Sequence, residues 1–170
     1  MSGLDDPSKI AVHAEPVWRD RANFLIHVKL EGDRWEQLWT KQLSENRFEI
    51  CCIPFFAYDM ALGDEVETEE HKGAPYVVKS VVKDAGQYTF RVWFGGISGS
   101  SGHTHAHQDI HHELLARLLD LGCLHEWSSD DLLAVSVGAE AAQAVADYLW
   151  EAEQTKSIEY ETGRKTLPNV

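Results

Sequence analysis

The sequence predicts an α+β fold, with an N-terminal small β-sheet or open barrel packed on a C-terminal ferredoxin-like (βαββαβ) half. Three observations predict it. Residues 18–86 hold short alternating apolar runs separated by Gly, Pro and Asp turns, with no clear helical period. Residues 87–163 follow the order strand, helix, strand, strand, helix, strand, the split βαβ pattern in which two helices cover one face of an antiparallel sheet. The whole is 170 residues with 44% hydrophobic and 10% aromatic content, enough for one compact unit.

Each element has its own signal. Residues 1–17 show little periodicity and read as a flexible arm. Phe24, Ile26, Val28 and Leu30 share one face of a strand, with Leu25, His27 and Lys29 on the other. Gly32-Asp33 turns the chain. Trp35 to Leu43 alternates bulky residues as a second strand, although Glu36-Gln37-Leu38 would also tolerate a helix. Phe48 to Ile53 reads as a buried strand ended by Pro54, which has no N–H for a ladder. Gly63-Asp64 turns into a strand at Val66-Glu67-Thr68, and Tyr76 to Lys83 forms another, closed by Asp84-Ala85-Gly86. In the second half, Tyr88, Phe90, Val92 and Phe94 alternate with Thr89, Arg91 and Trp93. Ile110, Leu114, Leu118 and Leu121 recur at helical spacing, with Asp109 as the expected N-cap and Gly122 beyond the C-terminus. Cys123 to Trp127 and Leu132 to Val137 are strands. Ala141, Val145, Tyr148 and Leu149 mark a second helix, Ile158 to Glu161 a last strand, and residues 164–170 a tail.

Composition bounds function. Fifteen basic against 28 acidic residues give a net charge of -13, a field that repels phosphate backbones and disfavours nucleic-acid partners. No apolar run is long enough to span a bilayer, and residues 1–9 lack an apolar signal core, so no membrane role and a cytoplasmic location are expected. Cys51, Cys52 and Cys123 sit among apolar residues and read as small core groups rather than a disulfide framework or a catalytic thiol.

Several short motifs occur together: Trp18-Arg19-Asp20, Pro54-Phe55, Leu62-Gly63-Asp64-Glu65-Val66, Phe90-Arg91-Val92-Trp93-Phe94, Glu126-Trp127-Ser128 and Tyr160-Glu161. In these the chain resembles an uncharacterised bacterial family known as a domain of unknown function, number four-two-six-five. The likeness covers most of the chain after Val17. It implies an architecture and no reaction. It also implies a shorter loop where this chain carries its histidine run.

That run is the one candidate for metal chemistry. His103, His105 and His107 alternate along the chain, and His111 lies four residues after His107, a helical spacing at which two imidazoles chelate a divalent ion such as zinc or nickel. The bland reading is a solvated loop behind a glycine linker, and no cofactor is the favoured expectation. The acidic run Asp64 to Glu70 reads as a solvated face, with Asp59 and Asp64 holding a turn through backbone amides. Pro54, Gly63 and Asp64 are therefore assigned as structural turn residues. The glycine-rich segment from Gly95 has neither the Lys-Ser/Thr of a P-loop nor a nucleophile elbow.

With no catalytic constellation, strong acidity and six tryptophans, the favoured function is a non-catalytic binding protein for a protein or peptide partner, of the immunity or regulatory kind. Arg91, Trp93 and Trp127 are the candidate contact residues. The face that carries Arg91 and Trp93 is either such a surface or is covered by the N-terminal strands. A divalent-metal-binding protein or metal-dependent enzyme using the cluster from His103 to His112, or a small-molecule sensing module, is the alternative.

Overall fold

The computed structural model describes residues 3–95, 105–155 and 157–163. Its first half is a five-stranded barrel of β2 (Phe24–Lys29), β3 (Trp35–Ser44), β4 (Arg47–Ile50), β5 (Glu65–His71) and β6 (Ala74–Lys83). Neighbours run β3-β2-β6-β5-β4, and β4 returns to pair with β3. The sheet therefore closes, where a curled sheet or open barrel was expected. Closure depends on the ten-residue length of β3. Its Trp35–Thr40 stretch pairs with β2, and Thr40 to Ser44 then pairs with β4 through an irregularity near Gln42. One long bent strand serves two neighbours and leaves no open edge there.

Alternation places the barrel core as predicted for β2. Ile26 and Val28 are buried with Leu38, Phe48, Ile50 and Val66. Glu67, Glu69 and Glu70 point outward, so most of the acidic run is a solvated face. β4 stops at Ile50, earlier than the expected end at Ile53. Residues 51–58 continue without regular secondary structure, for a reason given below.

The second half contains β7 (Gln87–Trp93), α1 (His105–Asp120), β8 (Leu124–Ser129), β9 (Leu132–Gly138), α2 (Ala139–Gln154) and β10 (Glu159–Thr162). The four strands lie in the order β10-β7-β9-β8, each antiparallel to its neighbour. Phe90, Val92, Phe94, Leu133, Val135 and Val137 pack against Leu114, Leu118, Val145 and Leu149 of the helices. α1 begins at His105, so Asp109 lies inside the helix rather than at its N-cap. It ends as predicted: Gly122 has φ +89°, with Gly122 N–H donating to Leu119 O and Cys123 N–H to Leu118 O, the paired bonds of a Schellman cap. The three cysteines are free and buried. No helix among the described residues is long and apolar enough to cross a membrane.

The expected flexible arm is overturned. Pro7–Lys9 forms a short 3-10 helix capped by Asp6, and β1 (Ile10–Ala11) pairs in parallel with Trp35-Glu36. His13 is buried. Apolar periodicity gave no warning because the segment is held by scattered contacts, Leu4 and Ile10 against the Trp35 cluster and His13 between two carboxylates, rather than by a repeating apolar face.

Candidate functional site

The densest cluster of ionisable groups lies where barrel and second sheet meet. Glu36 shares a face of β3 with Leu38. Glu126 lies on β8, on the side opposite Trp127, whose ring packs among the helices. Both carboxylates are buried, and His13 stands between them. Its Nε2 is 2.9 Å from Glu36 Oε1 and its Nδ1 is 2.8 Å from Glu126 Oε1. Its ring stacks on Phe55 with centroids 4.0 Å apart. Both ring nitrogens face acceptors, so both must donate, and the ring is an imidazolium.

The electrostatics agree. Burial opposes charge on His13, but the Cys52 sulfur beside it and the hydrogen bonds to Glu126 and Glu36 outweigh burial, and its pKa is pushed up to about 12. Burial pushes the Cys52 thiol up as well, so at pH 7 the sulfur is neutral and adds no charge, and there the hydrogen bonds to the two carboxylates are what raise the His13 pKa. Burial alone would raise Glu36. The His13 cation and the amides of Phe55 and Phe56 overcome it and hold the Glu36 carboxyl below its ordinary range.

The same carboxylates explain the irregular chain after Ile50. Glu36 accepts from the amides of Phe55 (2.6 Å), Phe56 (3.0 Å) and Ala57 (2.8 Å). Glu126 Oε2 accepts from Ile53 N–H at 2.5 Å and from Val17 N–H at 3.5 Å. The carbonyls of this stretch turn to Arg91 of β7, which donates to Pro54 O at 3.4 Å and to Ala57 O. Arg91 also reaches Glu161 at 3.1 Å and lies over the Tyr58 ring. A buried backbone must satisfy its polar groups. Residues 53–57 do so with charged side chains from three strands in place of a ladder. Pro54, which has no N–H, fits between two amides that are claimed.

Gly63 lies in the turn before β5, and Asp64 follows it directly, whereas Pro54 lies in the irregular stretch after β4. Gly63 has φ +85°, and an added Cβ would lie 3.0 Å from Ala85 Cβ and 3.3 Å from Trp18 Cη2. Asp64 is buried and accepts from Ala61 and Ala85 N–H, both at 2.9 Å, tying the turn to the loop between β6 and β7.

The candidate contact residues separate. Arg91 is 3% exposed, so its guanidinium braces the interior and is not offered to a partner. Its face is covered by residues 54–57, with Ile53, Phe55, Leu62 and Ala134 in one cluster. Trp93, at the end of that face, is 41% exposed. Trp127 is half-buried on the other face, stacked with His111 at 5.8 Å, and His111 lies 3.9 Å from Phe94. The structure does not bring these three residues together.

His103 and the side chains of His105 and His107 lie outside the described residues. His111 is enclosed in the aromatic group just described. Among the described residues, no three His, Cys, Asp or Glu side chains gather in a metal-binding group.

Sequence reasoning missed His13, Glu36 and Glu126. Glu126 opens the motif Glu126-Trp127-Ser128 and Glu36 follows Trp35, so each stood in a noted stretch. No local pattern joins His13 to residues 23 and 113 positions away.

The model of the family described as "Domain of unknown function (DUF4265)" matches residues 36–160. The chain belongs to this family. The match begins at Glu36 and includes Glu126 and Arg91, while His13 lies before it. No curated protein matches the chain. A crystal structure of a hypothetical protein from Neisseria gonorrhoeae is similar, with a TM-score of 0.66 at 18% identity, covering 85% of this chain and 96% of that one. At that identity the likeness concerns fold.

Proposed function

We propose that this member of the family is a non-catalytic binding protein that recognises a protein or peptide partner. One observation carries the reading. The side chains best suited to chemistry, His13, Glu36, Glu126 and Arg91, are buried and engaged in holding residues 53–57, while large aromatics stay at the surface: Trp150 is 55% exposed and Trp93 41%. A general base needs a free lone pair within reach of substrate. His13 has both nitrogens engaged and sits away from solvent. Exposed tryptophan on a charged surface is instead the composition of a contact surface.

We also read the second half as ferredoxin-like. The order β10-β7-β9-β8, with one helix between β7 and β8 and one between β9 and β10, supports this. That arrangement serves as a binding module in many settings, which is support by fold analogy alone.

The test is site-specific photo-crosslinking in cells, with a photoreactive phenylalanine analogue at position 93 or 150. The expected result is one discrete protein adduct at one of these positions. The same partner should be lost on Trp→Ala at that position, with cooperative unfolding unchanged. No specific adduct at either position would overturn the reading.

A further inference from the structure

We propose that the outward face of α2, centred on Trp150, docks a cationic segment of a partner protein. This rests on the binding reading above and names its surface and the partner's chemistry.

Charge comes first. Between Ala139 and Gln154, α2 carries Glu140, Asp147, Glu151 and Glu153 and no lysine or arginine. Glu151 and Glu153 lie in the last turn, where the helix dipole already disfavours negative charge. Several acids elsewhere have cations beside them: Asp33 with Lys9, Glu49 with Arg21, Glu65 with Lys83, Glu69 with Lys79, Glu161 with Arg91. Among the described residues, no lysine or arginine pairs with Glu140, Asp147, Glu151, Glu153 or the neighbouring Glu159 of β10. Asp147 takes a hydrogen bond from Gln143 and Glu153 one from Tyr160 N–H, and both are neutral donors. Arg117 of α1 acts on the Tyr148 flank together with Glu113, on the side of α2 that faces α1.

Shape supports the same face. Ala139, Ala142 and Ala146 line a groove of about 250 Å³ against Tyr88, Phe90 and Thr162. Ala146 precedes Trp150 by one turn, so groove and indole are contiguous along the helix. The groove takes an apolar side chain, the indole offers its face to a guanidinium or ammonium group, and the carboxylates around it complete the cation's environment. A second copy of this chain would present the same negative charge, so the occupant is a different, basic protein.

The probe is the peptide acetyl-Arg-Leu-Lys-Leu-Arg-amide, titrated into the ¹⁵N-labelled full chain. Its twin with Glu at every Arg and Lys is the control. The expected result is movement of the Trp150 indole N–H and the α2 amides with the basic peptide and none with the acidic twin. Trp150→Ala, and separately Asp147→Asn with Glu151→Gln, should weaken binding at least about tenfold, as removal of a central contact does. Raising salt from about 0.05 to about 0.5 M should weaken it too. Glu67→Gln with Glu69→Gln on the barrel should leave it unchanged. The proposal is overturned if the basic peptide does not bind, if the barrel variant loses as much as the α2 variant, if the acidic twin binds equally, or if Trp150 mediates self-association. A cellular adduct at position 93 with none at 150 would keep the binding reading and remove this surface. Adducts at neither position would remove both.

Discussion

At His13 an imidazolium stands between two carboxylates that also hold the amides of Val17, Ile53, Phe55, Phe56 and Ala57. Removing it leaves two buried charges facing each other. His13→Gln is expected to cost about 3–5 kcal/mol in urea denaturation, the range for breaking a buried ion pair from one side. The pH dependence has a definite sign. The folded pKa of His13 is raised from 6.5 to about 12, so its stabilisation is full below pH 6.5 and is lost as pH rises, at about 1.4 kcal/mol per unit. Glu36 is depressed from 4.5, so its stabilisation is present above pH 4.5 and is lost as pH falls. Between pH 7 and 9 the wild type should lose stability relative to His13→Gln. The His13 ring should also show two N–H signals that do not titrate between about pH 5 and 9. A ring that titrates near its ordinary value would remove the imidazolium assignment. At Gly63 the positive φ and the approach of Ala85 and Trp18 act together. Gly63→Val should lower stability by about 1–3 kcal/mol, and an unchanged denaturation midpoint would show that the turn tolerates a side chain.

Among the elements, β10 is short yet closes one edge of the second sheet, pairing Glu159 to Thr162 with Trp93 to Phe90. Ile158 before it is buried with the helices. Gly163 after it accepts from Asp59 N–H and donates to Thr89 O, both at 2.8 Å. Ending the chain after Ser157 should therefore expose Phe90, Leu149 and their neighbours and yield insoluble or molten protein. Ending it after Gly163 keeps every bond named here and should leave the melting temperature unchanged. Cooperative, soluble folding of the shorter chain would show that β10 is dispensable. These element assignments were legible because period-two alternation and helical spacing are local, as in β2 and at the Gly122 cap. The start of α1 was not, since His105 to Asp109 has no apolar stripe and a polar first turn looks like a loop.

Across the whole molecule, an apolar core in the barrel and another under the helices meet at a boundary that combines the apolar cluster of Ile53, Phe55, Leu62 and Ala134 with the buried charges of His13, Glu36 and Glu126. His103 and the side chains of His105 and His107 lie outside the described residues, and substitution addresses them directly. Changing His103, His105 and His107 together to Ser is expected to leave the melting temperature unaltered, with added zinc causing no shift. A ligand cluster would instead give stabilisation of about 2.7 kcal/mol at a hundredfold excess over the dissociation constant, fading below about pH 6 as the imidazoles protonate. Differential scanning calorimetry with and without zinc separates the two outcomes.

By itself the sequence determined the α+β class, the solvated acidic face of β5 and the burial of the cysteines, because each follows from neighbours a few residues apart. Tertiary structure alone decided three things. It closed the barrel through a strand long enough to serve two neighbours. It docked residues 3–17, and it turned Arg91 inward. All three depend on partners far apart in the chain, as when Glu126 meets His13. A buried charge is stable only beside such a partner. No local period records where that partner lies.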